Sequence, residues 1–391
     1  MKALQIERAI ARFAAARVAS SWRAGAGGRF LRVEDIDPPD LPGQGWVRLY
    51  PRLAGICGSD LATVDARSSR WFEPIVSFPF VPGHEVVADT GDGRRVVIEP
   101  VLGCAARGVV PPCPACAQGR SRHCENLSAG EVSPGLQTGF CRDTGGGWSV
   151  AMAAHESQLH EVTMPDEAAV LVEPMACAVH AALAGPANGE LAVVIGAGTL
   201  GLGTLAALKS YRPELSTIAV AKHPHQKRWA GELGARAVVE PGELRRAVRR
   251  ATGGWVLDNG QLSGGCALVY DCVGSAASLA DALAVTAPGG TVVLAGMPSP
   301  TQVDLTPLWQ REVRLAGSYT YGPEPAMGGR HSFDLAAEMI AEHRLARFVS
   351  AKYPLERAAE AISHAAEAGR RGAIKVVFDL RGEKRRQMEG K

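Results

Sequence analysis

Cys57, His84 and Glu173 stand in that order ahead of the glycine-rich run Gly196-Ala-Gly198-Thr199-Leu200-Gly201. A thiolate, an imidazole and a carboxylate are ligand types that hold zinc while one tetrahedral position stays open. A water or an alcohol oxygen bound there loses its proton near neutral pH. A nicotinamide beside that oxygen's carbon could then accept a hydride. The order of these residues therefore points to a catalytic zinc next to a dinucleotide. Taken singly, Cys57 is more often a buried thiol and His84 a core histidine satisfied by its neighbours than either is a ligand, so the case rests on their company.

A second constellation is built from cysteine alone. Cys113-Pro-Ala-Cys116 forms a tight knuckle, Cys124 follows in the next turn, and Cys104 is placed to supply a fourth thiolate. Four thiolates leave zinc no vacant position, so this site is expected to be structural. A nucleic-acid zinc ribbon is the rival reading, but the segment lacks clustered basic residues. Nine cysteines are an odd number for a disulfide framework, and in a reduced compartment such a cluster indicates metal. Cys266 and Cys272 read as core thiols.

The glycine run gains its meaning from context. The apolar stretch Leu191 to Ile195 precedes it and a helical stretch from Leu200 to Ser210 follows. Gly196 permits a tight turn, Gly198 lets the backbone approach a pyrophosphate, and Gly201 lets the helix pack on the strand, with free N–H groups of the helix start facing the phosphates. The next strand ends Val220-Ala221-Lys222-His223, without the acidic residue that usually holds a ribose 2′-hydroxyl. Lys222 and possibly His223 would instead meet a 2′-phosphate, so NADP is preferred over NAD. The plainer alternative is that both lie in a solvated loop.

The remaining sequence supplies the elements that must position these groups. The chain has 391 residues, 46% apolar and 21% charged, as expected of an ordinary globular protein long enough for two domains. Its 42 basic and 40 acidic side chains nearly cancel, so no bulk field favours nucleic acid or an anionic membrane. Charges at Glu7, Arg8, Arg12 and Arg17 interrupt any secretory h-region, and no run of about 18 uninterrupted apolar residues marks a spanning helix, so a cytoplasmic location is expected. The first half carries short apolar runs such as Trp46 to Tyr50 and Arg95 to Ile98 between Gly and Pro turns, a β-rich texture.

From about Glu190 the pattern becomes α/β. Strands at Leu191 to Ile195, Thr217 to Ala221 and Ala267 to Tyr270 alternate with helices at Leu200 to Ser210 and Gln226 to Leu233, which predicts a doubly wound parallel sheet. A helix at Ser278 to Thr286, a turn at Pro288-Gly-Gly290, and strands at Thr291 to Ala295 and Val313 to Gly317 extend it to six strands. Helices near Phe333 to Glu342 and Leu355 to Ala368, then a strand at Ile374 to Phe378, return to the first lobe. The charged tail from Arg381 to Lys391 reads as a frayed end.

The segments Gly55-Ile-Cys-Gly-Ser-Asp60, Pro82-Gly-His-Glu85 and Leu171-Val-Glu-Pro-Met-Ala-Cys-Ala-Val-His180, with the cysteine lobe and the glycine loop, resemble the zinc-containing medium-chain alcohol and polyol dehydrogenases. The resemblance spans nearly the whole chain. It implies a GroES-like β-rich catalytic domain over residues 1–186 and 323–391, carrying the structural zinc lobe at about 104–124, and a Rossmann domain over 187–322. It further implies an active-site cleft between the domains and two zinc ions per chain, the catalytic one held by Cys57, His84 and Glu173. Glu-Pro at this last position is similar to the polyol, sugar and threonine branches, so the implied substrate is such an alcohol or its carbonyl product.

Other roles follow from the same likeness. Ser59 matches the hydroxyl that bonds the substrate oxygen and starts a proton relay, and Asp60 the carboxylate that orients the zinc-bound histidine. Glu85 matches an acid beside the metal that ligates it directly in some members and serves only as a hydrogen-bond acceptor in others. Val273, Gly296 and Met297 resemble backbone contacts to the nicotinamide end. Trp71, Gln137, Phe140 and Tyr319 are candidate pocket residues, each equally readable as core. A homodimer or homotetramer is implied as well. Two departures stand out: Ala62 replaces the histidine that passes the proton to bulk water, and Cys104 lies earlier than the usual first structural cysteine, which would fall at Val110. The competing classes are a zinc-free enone or quinone reductase on the same fold and a nucleotide-binding regulatory protein with structural zinc only.

Overall fold

In the computed structural model, which describes residues 1–186, 189–258 and 260–383, the chain forms two compact units. One comprises Met1–Glu173 and the stretch from Leu345 onward, the other Pro174–Arg344. Residues 323–344 thus fall with the glycine loop, and the tail beyond 383 lies outside the described residues.

The first unit is built on a seven-stranded sheet. Trp46–Gly55 is its longest strand and its hub, pairing antiparallel with Val86–Thr90, Met152–His155 and Lys375–Asp379. Arg95–Ile98 and Leu159–Glu161 continue one side, and Val349–Tyr353 joins the other beside Lys375–Asp379 in parallel. The core on this sheet contains Leu49, Ala54, Val86, Ile98, Trp148 and Phe378, all nearly or fully buried. Burying so much apolar side chain is the main term that holds the sheet closed.

The helix Ile10–Trp22 was not foreseen from sequence, because arginines at 12 and 17 break up a one-sided apolar pattern. Phe13 alone reaches an aromatic partner, Phe78, edge to face at 6.1 Å between centroids.

The second unit carries the expected parallel sheet of six strands. In chain order these are Leu191–Ile195, Ser216–Val220, Ala237–Val239, Cys266–Asp271, Thr286–Leu294 and Arg314–Gly317, and in space they run 3-2-1-4-5-6. The third strand has only three residues, too few to signal itself against Gly234 and Ala235. Pro288-Gly-Gly290, expected as a turn, lies inside the fifth strand. The pairing steps from Cys266 opposite Thr286 to Leu268 opposite Thr291, so the proline and glycines sit in an irregularity rather than ending the strand.

Residues Asp166–Ala184 form the one stretch, among the described residues, long and apolar enough to cross a membrane by composition. It is 72% buried, as a core helix is.

Candidate active site

The first constellation is assembled by three neighbouring strands. Gly55 closes Trp46–Gly55, and its N–H donates to the Glu85 carbonyl at 2.8 Å, so the chain leaving at Cys57 runs beside the chain entering at His84 and Glu85. Ile56 N–H donates to Val376 O at 3.1 Å, which brings Lys375 against the same turn. The donor atoms of Cys57, His84 and Glu85 all lie within 4.8 Å of one another. Glu85 therefore joins this group directly. Glu173, buried at 5% exposure on the first turn of Val172–Ala184, is close enough for its charge to act on Lys375.

Asp60 does two jobs. Its Oδ2 accepts the Cys57 N–H at 2.9 Å, capping the helix Gly58–Val64. Its Oδ1 faces His84 Nδ1 at 3.5 Å, and both atoms are buried without a hydrogen-bond partner among the described residues. Burial works against a charged His84, but Asp60 and Cys57 outweigh it and hold the imidazole pKa well above its ordinary value. Two buried unpaired atoms and a thiol beside an imidazole make an unsatisfied polar nest. That is the donor set that zinc completes, with Asp60 behind the histidine.

Lys375 was not singled out by sequence reasoning. Its ammonium is 3% exposed, ion-paired with Glu85, which is 1% exposed, and it donates to Ile56 O at 3.2 Å. Burial opposes this charge, yet Glu85, Cys57 and Glu173 overrule it and raise the pKa above that of ordinary lysine. A Cβ on Gly55 would fall 1.8 Å from Glu85 Oε2 and 2.9 Å from Lys375 Cε, so glycine leaves the room this pair needs.

Ser59 sits half-buried on the first turn of the same helix, two residues after Cys57. Ala62 is buried on that helix. Phe140 reaches the site, its ring 5.8 Å from that of His84. Behind it runs a row of rings, Phe140 to Phe80 at 5.4 Å, Phe80 to Phe78 at 5.1 Å, and Phe78 to Phe13. Gln137 is buried and bridges to Val101 through its backbone, whereas Trp71 is 80% and Tyr319 39% exposed.

Cys104, Cys113, Cys116 and Cys124 also bring their sulfurs within 4.8 Å of one another. The displaced Cys104 thus does reach the cluster. Its Sγ accepts N–H bonds from Cys113 at 3.4 Å and Asn126 Nδ2 at 3.3 Å, while Cys116 Sγ accepts from Cys104 N at 3.5 Å. Backbone N–H groups of Glu125 and Cys116 draw the Cys113 thiol down, whereas burial pushes Cys116 up. Four crowded sulfurs titrate apart in this way unless a cation neutralises them together, so the donors fit zinc.

In the second unit the glycine loop has its expected form. Gly196 has φ +94°, and a Cβ on Gly201 would lie 1.8 Å from Gly196 O. Nothing lies within 4 Å of a Cβ on Gly198, which leaves the start of helix Thr199–Tyr211 open to a phosphate. Beside it, fully buried Asp271 accepts the Val273 and Gly274 N–H groups at 3.0 and 3.1 Å, and Gly296 N–H donates to Asp271 O at 2.9 Å. Val273 thereby packs against Gly196, with Gly296 beside Val273 and Met297 beside Gly274, at the carboxyl ends of the central strands, where doubly wound sheets bind ligands. Lys222 is exposed at the end of the second strand, and His223 starts helix Pro224–Glu232 with its ring stacked on His225.

Residues 43–166 match the alcohol dehydrogenase GroES-like domain and residues 199–342 the zinc-binding dehydrogenase family. L-galactonate-5-dehydrogenase of Escherichia coli (strain K12) is 27% identical, with 78% of this chain and 85% of that protein covered. Sorbitol dehydrogenase of Arabidopsis thaliana is 26% identical, with 92% and 95% covered. Among solved structures, 2R,3R-butanediol dehydrogenase from Bacillus subtilis shares the fold with TM-score 0.69 and 21% identity, over 97% of this chain and 99% of that one. A GroES-like domain, a six-stranded Rossmann sheet and two donor clusters suited to zinc agree with these matches: the chain belongs to the zinc-binding medium-chain dehydrogenases, the NAD(P)-dependent alcohol and polyol dehydrogenase family.

Proposed function

We propose that this enzyme oxidises a secondary alcohol of a polyol, sugar or amino alcohol, or reduces its carbonyl product, at a zinc held by Cys57 and His84 with Glu173 or Glu85. The observation that carries this reading is the buried Cys57, His84 and Glu85 donor group with Asp60 unsatisfied behind the histidine. Zinc, when bound, makes an alcohol oxygen acidic and polarises a carbonyl, and the nicotinamide exchanges the hydride.

This chain's own residues do the rest. Asp60 fixes the His84 ring through Nδ1, which leaves Nε2 for the metal. Ser59 accepts the proton of the substrate hydroxyl and passes it on, and with alanine at 62 that proton leaves through ribose and water. Val273, Gly296 and Met297 position the nicotinamide end. The relatives' names, L-galactonate, sorbitol and butanediol dehydrogenase, support a substrate with adjacent hydroxyls. The exposed edge strand Arg314–Gly317 supports self-association as a dimer or tetramer.

Metal analysis of the purified enzyme should give two zinc ions per chain, and a panel of alcohols, polyols and aldoses should show turnover with a vicinal diol. One tightly held zinc with full activity would overturn the catalytic site. The cofactor has a separate test. An exposed Lys222 and no acid at the strand end favour NADP, so Lys222→Ala should lower kcat/KM for NADP by about tenfold or more and change NAD much less. A strong NAD preference that the substitution leaves untouched would remove the assignment.

A further inference from the structure

We propose that buried Arg107 is the anchor that holds displaced Cys104 within the four-cysteine zinc centre. This rests on reading that cluster as a closed zinc site.

Arg107 is 0% exposed. Its guanidinium donates only to backbone carbonyls: Nε to Leu102 at 3.0 Å, Nη1 to Val132 at 3.0 Å, Ala129 at 3.2 Å and Ser133 at 3.4 Å, and Nη2 to Gly135 at 2.5 Å. None of these acceptors is a carboxylate, and Asp143, the acid whose charge it feels, is engaged with the Ser133 N–H.

A buried guanidinium is costly unless its donors are satisfied, and five backbone carbonyls satisfy this one.

The same side chain answers the spacing problem. Cys104 opens a turn in which Arg107 N–H donates to Gly103 O at 3.1 Å and to Cys104 O at 3.2 Å, and Val109 N–H to Cys104 O at 3.0 Å. Glu131 N–H then donates to Arg107 O at 2.9 Å, and a Cβ on Gly130 would fall 2.2 Å from that oxygen. Arg107 thus ties the turn bearing Cys104 to the chain around 129–135 that follows Cys124. A cysteine displaced from the usual position keeps its place because its turn is pinned at both ends.

The test uses full-length Arg107→Gln and Arg107→Lys and follows zinc rather than turnover. Zinc per chain is measured first, then the rate at which a colorimetric chelator removes each ion. Arg107→Gln should release the cysteine-bound zinc about 10–100-fold faster than wild type and leave the other ion's rate unchanged. Arg107→Lys, which keeps the charge but loses most of the carbonyl bonds, should release it nearly as fast as Arg107→Gln. Cobalt-substituted protein gives a second readout, since the thiolate-to-cobalt charge-transfer band should weaken on Arg107→Gln.

Should Arg107→Gln be insoluble, the lysine variant decides alone, because release about 10-fold or more faster than wild type supports the anchor and release near the wild-type rate overturns it. Wild-type release in both variants overturns the proposal while two zinc ions per chain still stand. No zinc in the cysteine lobe of wild type would instead sink the closed-site reading itself.

Discussion

Cys57→Ser is expected to lower kcat/KM by about a thousandfold or more, equivalent to the several kcal/mol a metal ion supplies to a developing alkoxide. One of the two zinc ions should be lost with it. The fold should survive, because the contacts that place residue 57 are made by backbone: its N–H to Asp60 Oδ2 and the neighbouring Ile56 N–H to Val376 O. The cysteine lobe has its own donors and should keep its zinc. Steady-state kinetics together with metal content checks this. Full activity with both ions retained would end the case for Cys57 as a ligand.

Lys375→Met should destabilise the zinc-free protein by about 3–5 kcal/mol, since it strands the Glu85 carboxylate in a buried site. Urea unfolding with zinc removed measures this, and adding Glu85→Gln should recover a large part, as the two side chains act as one unit. A loss below about 1 kcal/mol would mean the pair is solvated or Glu85 is protonated. Adding zinc back should narrow the gap between Lys375→Met and wild type, because a cation can take over the role of the ammonium.

The second unit was largely legible because its signals are local. A strand, three glycines and a helix are contiguous from 191 to 211, and each glycine meets a steric demand within a few residues, as the 1.8 Å approach of a Gly201 Cβ to Gly196 O shows. The first unit was legible where a motif carried it, at Cys57, Asp60, His84 and the four cysteines. It was not legible where the partner comes from a remote strand. Lys375 is one of eight lysines on paper, with no motif around it, and the pairing of Lys375–Asp379 with Trp46–Gly55 sets it against Glu85.

That same pairing explains the shift of emphasis among the acids. Glu173 is announced by its Glu-Pro sequence, whereas Glu85 gains its place in the donor group from a backbone hydrogen bond to Gly55, invisible in the order of residues. Arg107 was hidden for a similar reason, since its acceptors are carbonyls, which every residue has.

The row of rings from Phe13 to His84 gives the N-terminal helix an unexpected weight. A chain trimmed to begin after Trp22 would retain every candidate metal donor, yet Phe78 would lose its partner and open to water, three ring contacts away from the imidazole. Residues at the start of a protein are commonly the first part discarded in engineering. Here Phe13, on the first helix, is the outer end of a row of rings whose inner end, Phe140, packs beside the His84 imidazole.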